Sequence, residues 1–589
     1  MVKEELAVAT ASERRSRIRT YVAGRLMHPK ADWPRGGSLS APLLTLLKPS
    51  IVAAYTAAGF WGEETIYHLS ARHARMTPQA FAVRDRHRRL SYVELVAAAD
   101  RLAAHLAGQG IRSGHRVAVW LPSRVEAAIA LLACSRNGYV CCPSLHRDHT
   151  VGEIVALVDR MRAVALIAEP GYGADADCHD IFIALADRAS LRCARRVGPA
   201  RAVPFGELRG PALETEPSKD ANQVMYLPFT SGTTGEPKGV MHSDNTLLAT
   251  ARMMARDWRL ERSVLYTLSP LSHNLGLGAL ITALASGGEL VLHDLPRSAS
   301  LLDRLQETGA EFLFGVPTHA IGLLAELRSG GTRRVGAVRG FRISGAAAPA
   351  PVIAELMQYG IVPQSGYGMT ETCSHQYTLP EDSPERIVET CGRACAGYQI
   401  RVWRQADPDI EAAPGEIGEI GGRGASLMLG YFDDQQATEA AFNAQGWFMT
   451  GDLGWVDETG YLHVTGRKKD LIIRGGRNIH PASIEALALR HIAIEKAAAF
   501  PIGDARLGER VCLAVVARYG IAVDAGAILE HLDASGLSRY DMPEFFLQLY
   551  EMPVTATGKL LKRELVRRVA EGQLQPLPVR FRRRSVAHD

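Results

Sequence analysis

Residues 229–240, FTSGTTGEPKGV, combine glycines, four hydroxyl side chains and one lysine in one short stretch. The apolar run before them predicts a short strand, and the run after them predicts a helix that begins at Ser243 or Asp244. A glycine-rich turn between a strand and a helix directs backbone N–H groups toward one anion, and Lys238 adds a positive charge. The stretch therefore predicts a phosphate-binding loop, although it lacks the Walker A spacing. A flexible surface turn is the alternative interpretation.

Four later stretches carry a similar mixture of glycine with hydroxyl, acidic or basic side chains. They are SGYGMTET (365–372), TGDLGWVD (450–457), GRKKDLIIRGGRNIHPASIE (466–485) and TATGKLLKREL (555–565). Any one of them is weak evidence for a site, because such residues are common in turns. Five of them, in this order and at these intervals, are strong evidence.

Alternating strands and helices must position these stretches. Residues 91–111 begin with a capping box, Ser91 and Glu94, and continue with helical periodicity. RVAVWLP then predicts a strand, a helix is expected from Ser123 to Gly138, and YVCCPS predicts the next strand. This alternation predicts parallel β-α units with helices on both faces of a sheet. After about residue 395 shorter strands and hairpins are expected, and near residue 470 a further mixed α/β stretch begins.

The bulk composition is that of an ordinary globular protein of several domains. The 67 Lys and Arg residues exceed the 63 Asp and Glu residues by only 4, which gives no indication of nucleic-acid binding. The nine cysteines lack the spacing of a zinc site, and free core thiols are expected. The N-terminus lacks the apolar core of a signal peptide. Polar residues interrupt the uncharged segment 264–288, so we predict a cytoplasmic protein without a membrane span.

In their order and spacing, the five stretches closely resemble the adenylate-forming superfamily, which includes acyl-CoA synthetases, peptide-synthetase adenylation domains and firefly luciferase. The resemblance covers roughly residues 75–570. It implies an α/β fold with a large N-terminal domain (76–468) of α/β subdomains and a small β-barrel-like subdomain. A small, mobile α+β C-terminal domain (469–589) is expected to follow. Residues 1–75 are a lead-in, for which we considered a docking or homodimer role.

The resemblance implies that a carboxylate attacks the α-phosphate of ATP and releases pyrophosphate. A carboxylic acid is already ionised at neutral pH, so the reaction requires no general base. The protein must instead bring the carboxylate anion close to the polyanionic ATP against their electrostatic repulsion. Fixed cations and backbone N–H donors can stabilise this arrangement. ATP, Mg²⁺ and CoA are the cofactors that the resemblance implies.

The resemblance also implies a role for residues in each stretch. The β,γ-phosphate loop comprises Thr230, Ser231, Gly232, Thr233, Thr234 and Lys238. The adenine and the acyl group are flanked by Ser344, Gly345, Ala346, Gly366, Tyr367 and Gly368. The remaining expected contacts are Thr370 with the α-phosphate, Glu371 with Mg²⁺, Asp452 with the ribose hydroxyls, Arg467 with ribose or phosphate, and Lys559 with the α-phosphate and the attacking carboxylate.

A second half-reaction is implied, in which a thiol attacks the adenylate. The small domain is expected to rotate beforehand and to remove Lys559 from the cleft. Lys469 is the expected pivot, and Gly475 and Gly476 would allow close approach of a pantetheine arm. A solvent-exposed lysine is the alternative interpretation of Lys559, since most lysines are exposed.

The segment SPLSHN, at residues 269–274, distinguishes classes within the superfamily. It lacks the aspartate of amino-acid-activating domains and looks like that of acyl- and aryl-CoA synthetases, with His273 lining or gating the acyl pocket. A hydrogen-bonded core histidine is the alternative for this residue. An enzyme that loads a carrier protein in place of CoA stays open, and a non-catalytic homologue is disfavoured because no expected catalytic position is substituted.

The acyl pocket is predicted to accept an apolar acid larger than acetate. Acetate-specific enzymes close the pocket with a tryptophan where this chain has Gly368. Gly276, Gly278, Ala279 and the alanines at 346–348 leave further space, or equally allow tight packing. These segments contain no Arg or Lys that would indicate a second carboxylate. Medium-chain, aromatic, alicyclic and terpenoid-type acids stay open as substrates, bound mainly through buried apolar area.

Overall fold

The structure, a computed structural model, describes residues 44–581 except 201–202, 209–215, 231–236, 297, 331–334, 347 and 555–559. Strands and helices alternate through most of these residues, and the predicted α/β class is confirmed. None of the helices in this part of the chain is long and apolar enough to cross a membrane. The uncharged segment 264–288 forms a strand, a turn and a helix.

Several helices begin or end at the residues that the sequence indicates. The helices are α1 (Pro49–Ala57), α2 (Ile66–Met76), α3 (Tyr92–Gly108), α4 (Val125–Asn137), α5 (Val151–Arg160), α6 (Ile181–Ala184), α7 (Asp244–Asp257), α8 (Asn274–Ser286), α9 (Leu301–Thr308), α10 (Pro317–Gly330), α11 (Ala350–Gln358), α12 (Pro384–Glu389), α13 (Gln435–Ala440), α14 (Pro481–Ala488), α15 (Ala525–Ala534) and α16 (Lys562–Ala570). Ser91 caps α3 through the predicted capping box with Glu94. Ser243 is the N-cap of α7, and Gly138 ends α4 with a left-handed φ of 68°.

Two large sheets form the framework of residues 81–394. The strands of this region are β1 (Phe81–Arg84), β2 (Arg89–Ser91), β3 (Arg116–Trp120), β4 (Val140–Cys142), β5 (Ala163–Ala168), β6 (Cys193–Arg196), β7 (Val224–Tyr226), β8 (Phe229–Thr230), β9 (Lys238–Gly239), β10 (His242–Ser243), β11 (Val264–Thr267), β12 (Glu289–Leu292), β13 (Phe312–Gly315), β14 (Gly340–Ile343), β15 (Val362–Met369), β16 (Cys373–Tyr377) and β17 (Arg393–Ala394). One sheet has the order β17-β16-β15-β14-β13-β11-β12-β1-β2, and the other has the order β10-β7-β4-β3-β5-β6. β8 and β9 form a separate pair.

Parallel strands occupy the middle of both sheets and are buried because helices cover both faces. In the larger sheet, Phe341 of β14 lies between Leu313 of β13 and Pro363 of β15. One core cluster joins residues of both sheets with α3, α4, α7 and α8, so these helices lie between the sheets. α9, α10 and α11 cover the other face of the larger sheet, and α5 and α6 cover the other face of the smaller one.

A four-stranded antiparallel sheet stands where the β-barrel-like subdomain was predicted. Its strands are β18 (Tyr398–Trp403), β19 (Gly418–Gly424), β20 (Phe448–Val456) and β21 (Leu462–Arg467), arranged in chain order. β20 and β21 pair so that Asp452 lies opposite Arg467. A 3₁₀ helix, Lys468–Asp470, follows β21 directly.

The last part of the described chain forms a separate sheet, whose strands all come from residues 472–578. Its strands are β22 (Ile472–Arg474), β23 (Arg477–Ile479), β24 (Ile494–Asp504), β25 (Gly508–Ala517), β26 (Phe545–Leu549) and β27 (Leu577–Pro578). Their order is β23-β22-β25-β26-β27, with β24 also paired to β25. α14 and α15 contribute to one core beside this sheet and α16 to another. This unit corresponds to the small α+β domain expected after residue 469.

Residues 66–76 join the large fold, whereas the lead-in was predicted to extend to residue 75. α2 buries Ile66 and Leu69 in the core cluster that also contains α3. The backbone N–H of Ile66 donates to Asp244 Oδ1 at 2.8 Å, which ties α2 to the start of α7. The apolar residues of α2 gather on one face of the helix, a pattern that the prediction missed.

Candidate active site

The predicted phosphate loop is carried by the short β8–β9 hairpin. Thr230 lies opposite Lys238 in this pair, so both ends of the loop are held together. Ser231, Gly232, Thr233 and Thr234 lie outside the described residues. The Lys238 ammonium nitrogen lies 4.8 Å from the ring centroid of Tyr431, the tyrosine that also contacts Glu371.

The turn between β15 and β16, residues 370–372, is held by bonds from three directions. His242 Nε2 lies 2.7 Å from the carbonyl oxygen of residue 370 and donates to it. The backbone N–H of Met428 donates to the carbonyl of residue 371 at 2.7 Å, and Ser426 Oγ donates to that of residue 372 at 2.9 Å. Burial lowers the pKa of His242 to about 4, so its ring is neutral and donates from one nitrogen. The turn that carries Thr370 and Glu371 is therefore fixed before any ligand binds.

Glu371 is the carboxylate expected to hold Mg²⁺. Its Oε1 accepts a hydrogen bond from the Tyr431 hydroxyl at 3.0 Å. Burial raises the pKa of Glu371, while Tyr431 and the charge of Lys238 act in the opposite direction. The described residues contain no group of three or more His, Cys, Asp and Glu side chains that could hold a metal ion alone. One carboxylate completed by phosphate oxygens is a usual Mg²⁺ environment, so this residue fits the ion.

Tyr367, Asp452 and Arg467, three of the residues expected to contact the nucleotide, form one polar set. The Tyr367 hydroxyl donates to Asp452 Oδ2 at 2.8 Å, and Arg467 Nε lies 3.3 Å from Oδ1. The backbone N–H of Asp452 donates to Thr450 Oγ1 at 3.1 Å. Burial raises the pKa of Tyr367, so its hydroxyl stays protonated and remains a donor. The negative charge of Asp452 also raises the pKa of Glu371, so the two carboxylates lie close enough to interact electrostatically.

The residues expected beside the adenine and acyl group lie at the ends of β14 and β15. Ser344 Oγ donates to the carbonyl of Gly366 at 3.3 Å. Gly345 has a left-handed φ of 88°. Both Gly345 and Ala346 are exposed to solvent. At Gly368, an added Cβ would overlap the carbonyl oxygen of Cys373. A tryptophan at position 368 would therefore displace the backbone of Cys373 in addition to filling space.

The start of α8 brings histidines together. His273 is the N-cap of α8, and its Nδ1 accepts from the backbone N–H of Leu275 at 3.3 Å. The ring of His146 lies 6.5 Å from that of His273 and makes a 3.0 Å hydrogen bond with Ser272. His273 thus makes a structural hydrogen bond at the start of α8, as the alternative interpretation describes.

The glycines of α8 differ in their surroundings. An added Cβ at Gly276 would overlap the carbonyl of Pro270, so this glycine serves close packing. An added Cβ at Gly278 would meet no atom within 4 Å, which leaves open space beside the helix. A small cavity between α4 and α8, lined mainly by apolar side chains such as Leu131, Leu277 and Leu280, lies nearby.

The expected pivot and its neighbours follow β21. Lys469 lies in the 3₁₀ helix, and burial and the charge of Arg467 lower its pKa. Lys468 Nζ pairs with Glu419 Oε2 at 2.8 Å. Gly475 and Gly476 have left-handed φ values of 57° and 83° and form the exposed β22–β23 turn.

Lys559 lies outside the described residues, but the chain on both sides of residues 555–559 is paired. Val554 forms a bridge with Leu560, and the backbone N–H of Leu561 donates to the carbonyl of Pro553 at 2.8 Å. The two ends of this loop therefore meet at one place in the small domain.

Sequence reasoning missed His242, Ser426, Met428 and Tyr431. Each acts on residues 370–372, from which it is separated by at least 54 positions in sequence. No local motif marks them.

A family model described as AMP-binding enzyme matches residues 70–432. Medium-chain fatty-acid–CoA ligase of Escherichia coli (strain K12) is 30% identical over 537 residues, which cover 88% of this chain and 94% of the relative. Feruloyl-CoA synthase of an Amycolatopsis species is 33% identical over 506 residues, which cover 84% of this chain and 97% of the relative.

Solved structures agree with this match. ATP-bound MatB from Rhodopseudomonas palustris is 28% identical, with a TM-score of 0.75 over 86% of this chain and 99% of that chain. The O-succinylbenzoate Coenzyme A synthetase MenE from Bacillus subtilis, in complex with ATP and magnesium ion, is 28% identical, with a TM-score of 0.73 over 84% of this chain and 98% of that chain. The family indicated by the five stretches is confirmed, and this chain belongs to the AMP-binding, adenylate-forming enzymes.

Proposed function

We propose that this chain is an AMP-forming acid–thiol ligase. It converts a carboxylic acid larger than acetate, with ATP, to an acyl-adenylate and pyrophosphate, and then transfers the acyl group to CoA. The acid has an apolar body of medium-chain, aromatic, alicyclic or terpenoid type. The observation that carries the proposal is the Tyr367–Asp452–Arg467 set beside a rigidly held 370–372 turn. Curated relatives named as CoA ligases for a medium-chain fatty acid, ferulate and indoleacetate support it.

The cleft residues act by position and charge. Asp452 accepts from the ribose hydroxyls, Arg467 contacts ribose or phosphate, and Thr370 contacts the α-phosphate. A carboxylate oxygen of the acid bonds to the α-phosphorus while the bond to pyrophosphate breaks, and no proton is transferred. Lys559 contacts both anions during this step. A magnesium ion held by Glu371 would neutralise charge on the phosphates.

The second step uses the same cleft after the small domain turns about Lys469. The thiol loses its proton to solvent, its sulfur bonds to the acyl carbon, and AMP leaves with the electron pair of the broken bond between that carbon and the phosphate oxygen. Gly475 and Gly476, which lack side chains, would let the pantetheine arm pass close to the backbone. A cytoplasmic location and a homodimer contact by residues 1–75 remain predictions, which cell fractionation and light scattering of the full chain would test.

Mass spectrometry of the products tests the reaction. The purified protein is incubated with MgATP and a panel of acids with apolar bodies, each with and without CoA. Acyl-CoA together with AMP is the expected result. Acyl-AMP that accumulates and never reaches CoA would instead identify a ligase that loads a carrier protein, and the absence of both products would contradict the proposal.

Lys559→Ala separates the two steps. We expect it to lose most adenylation and to keep thioester formation from preformed acyl-adenylate. Lys496→Ala is the control, because it removes the same charge from a half-exposed site of the small domain. Equal loss of both steps in Lys559→Ala would assign this lysine a structural role.

A further inference from the structure

Arg342 lies in the middle of the larger sheet and is completely buried. It is on β14, and its guanidinium carbon lies 5.6 Å from the ring centroid of Trp258. None of its three guanidinium nitrogens has a hydrogen-bond partner among the residues that the structure describes. A cationic side chain thus stands in the core without an acceptor from this part of the chain.

Such a group is unfavourable unless something else compensates it. Burial lowers the pKa of Arg342 to about 10, so the guanidinium keeps its proton at neutral pH. A buried charge without a partner costs several kcal/mol, and an unpaired arginine in a core is normally replaced by an apolar residue at little cost. Its presence therefore points to a ligand that supplies the acceptor.

The guanidinium lies against the backbone of Gly366, one of the residues expected beside the adenine and acyl group. An added Cβ at Gly366 would overlap Arg342 Nη1, so the guanidinium lies directly against the backbone of this glycine. Gly366 is only half-buried, and its carbonyl accepts from Ser344 Oγ at 3.3 Å. Tyr367, which bonds to Asp452, follows at once. Arg342 therefore lies next to a residue of the expected substrate site.

A second buried polar side chain lies on the neighbouring strand. His375 of β16 is buried, and neither of its ring nitrogens has a hydrogen-bond partner in the described residues. It is two positions from Tyr377, which lies opposite Gly366, and alternate strand residues share one face. Burial lowers the pKa of His375 to about 3, while the nearby backbone of Cys373 and Thr372 acts in the opposite direction and the charge of Arg342 adds a small lowering. A neutral imidazole supplies one further donor.

We propose that Arg342, assisted by His375, binds an oxygen acceptor at the far end of the acid substrate. The substrate class is an acid with an apolar body that ends in a second carboxylate or a carbonyl group. This inference rests on the proposed function and makes Arg342 a specificity-determining residue. The sequence did not reveal it because Arg342 lies two positions before the segment SGAAAP, where no Arg or Lys occurs.

Pyrophosphate release measures the preference directly. The wild-type protein and Arg342→Met are assayed with acids of one medium chain length that end in a methyl, a methyl ketone or a carboxylate group. We expect wild-type kcat/KM to be about tenfold or more higher for one of the acceptor-ended acids than for the methyl-ended acid, since a hydrogen bond to a charged group accounts for such a factor. Arg342→Met should abolish that preference and keep activity on the methyl-ended acid. The ketone and carboxylate arms identify which acceptor is bound.

The variant is expected to fold, because methionine removes an uncompensated charge from the core, and thermal unfolding checks this. Arg116→Met is the matched control: Arg116 is also buried, but its nitrogens donate to backbone carbonyls of Met161, Gly114 and Arg162. It should lower stability without changing the preference among acids.

If the wild-type protein and Arg342→Met both prefer the methyl-ended acid, the inference is overturned. The proposed function would then still stand, because both proteins turn over an acid. Turnover of no acid at all would instead contradict the proposed function. In that case calorimetric binding of the same three acids to wild type and Arg342→Met decides the inference by itself: weaker binding of an acceptor-ended acid to the variant supports it, and unchanged binding overturns it.

Discussion

Replacing Tyr367 by phenylalanine removes one hydroxyl group from the proposed nucleotide site. That hydroxyl donates to Asp452 Oδ2 at 2.8 Å and so orients the carboxylate that we propose to bind the ribose. A hydrogen bond to a charged group contributes about 1.5–3 kcal/mol. Arg467 Nε, 3.3 Å from Oδ1, continues to hold the other oxygen, so the lower end of this range applies. A loss of about 1.5 kcal/mol corresponds to a roughly tenfold higher Kd for ATP.

The control is a second tyrosine with the same bond elsewhere. The Tyr67 hydroxyl donates to Asp100 Oδ1 at 2.8 Å, and Tyr67 is 6% exposed against 9% for Tyr367. Both substitutions should lower the free energy of unfolding by about 1–2 kcal/mol. Only Tyr367→Phe should weaken ATP binding, measured by calorimetry in the presence of Mg²⁺. An unchanged Kd in Tyr367→Phe, or an equal increase in Tyr67→Phe, would refute the assignment of Tyr367 to the nucleotide site.

Three further results are expected. His242→Leu should lower kcat for pyrophosphate release about tenfold by freeing the carbonyl of Thr370, with partial rescue in His242→Gln, which restores a donor. Burial raises the pKa of Asp244 to about 7. The contribution of this group to stability is therefore fully present below about pH 4 and is lost as pH rises to about 7. In denaturant unfolding at several pH values, Asp244→Asn should remove up to about 4 kcal/mol of this pH dependence. Lys469→Pro fixes φ and removes a backbone N–H at the proposed pivot. Stopped-flow assays should therefore show slower thioester formation and nearly unchanged adenylation. Thioester formation as fast as in the wild-type protein would place the pivot elsewhere.

Local features of the fold could be predicted because their causes are local. The capping box of Ser91 and Glu94 and the glycine that ends α4 at residue 138 depend on neighbouring residues alone. Strand order could not be obtained in this way. β1 pairs with β12, for example, so that Val83 lies opposite Leu290, and nothing near either residue indicates the other.

The same distinction holds for the candidate site. Asp452 and Tyr367 each stand in a stretch that the sequence singles out, but the bond between them joins residues 85 positions apart. Tyr431 carries no motif and is known only from its contact with Glu371, 60 positions away. Arg342 was missed for a different reason: an arginine in a sequence is normally taken to be exposed, and its burial follows from the sheet around it.

The ion pair of Lys468 with Glu419 fixes the chain one residue before the proposed pivot. If the small domain turns at Lys469, the flexible connection between the domains is only a few residues long. The rotation then requires changes in only a few backbone dihedral angles. Little conformational entropy is then gained or lost between the two orientations, in contrast to domains joined by long flexible linkers. In both proposed orientations, the small domain would then stay at high effective concentration near the large domain. The balance between the two orientations would then depend on which ligand the cleft holds, and the length of the connection would have little influence on it.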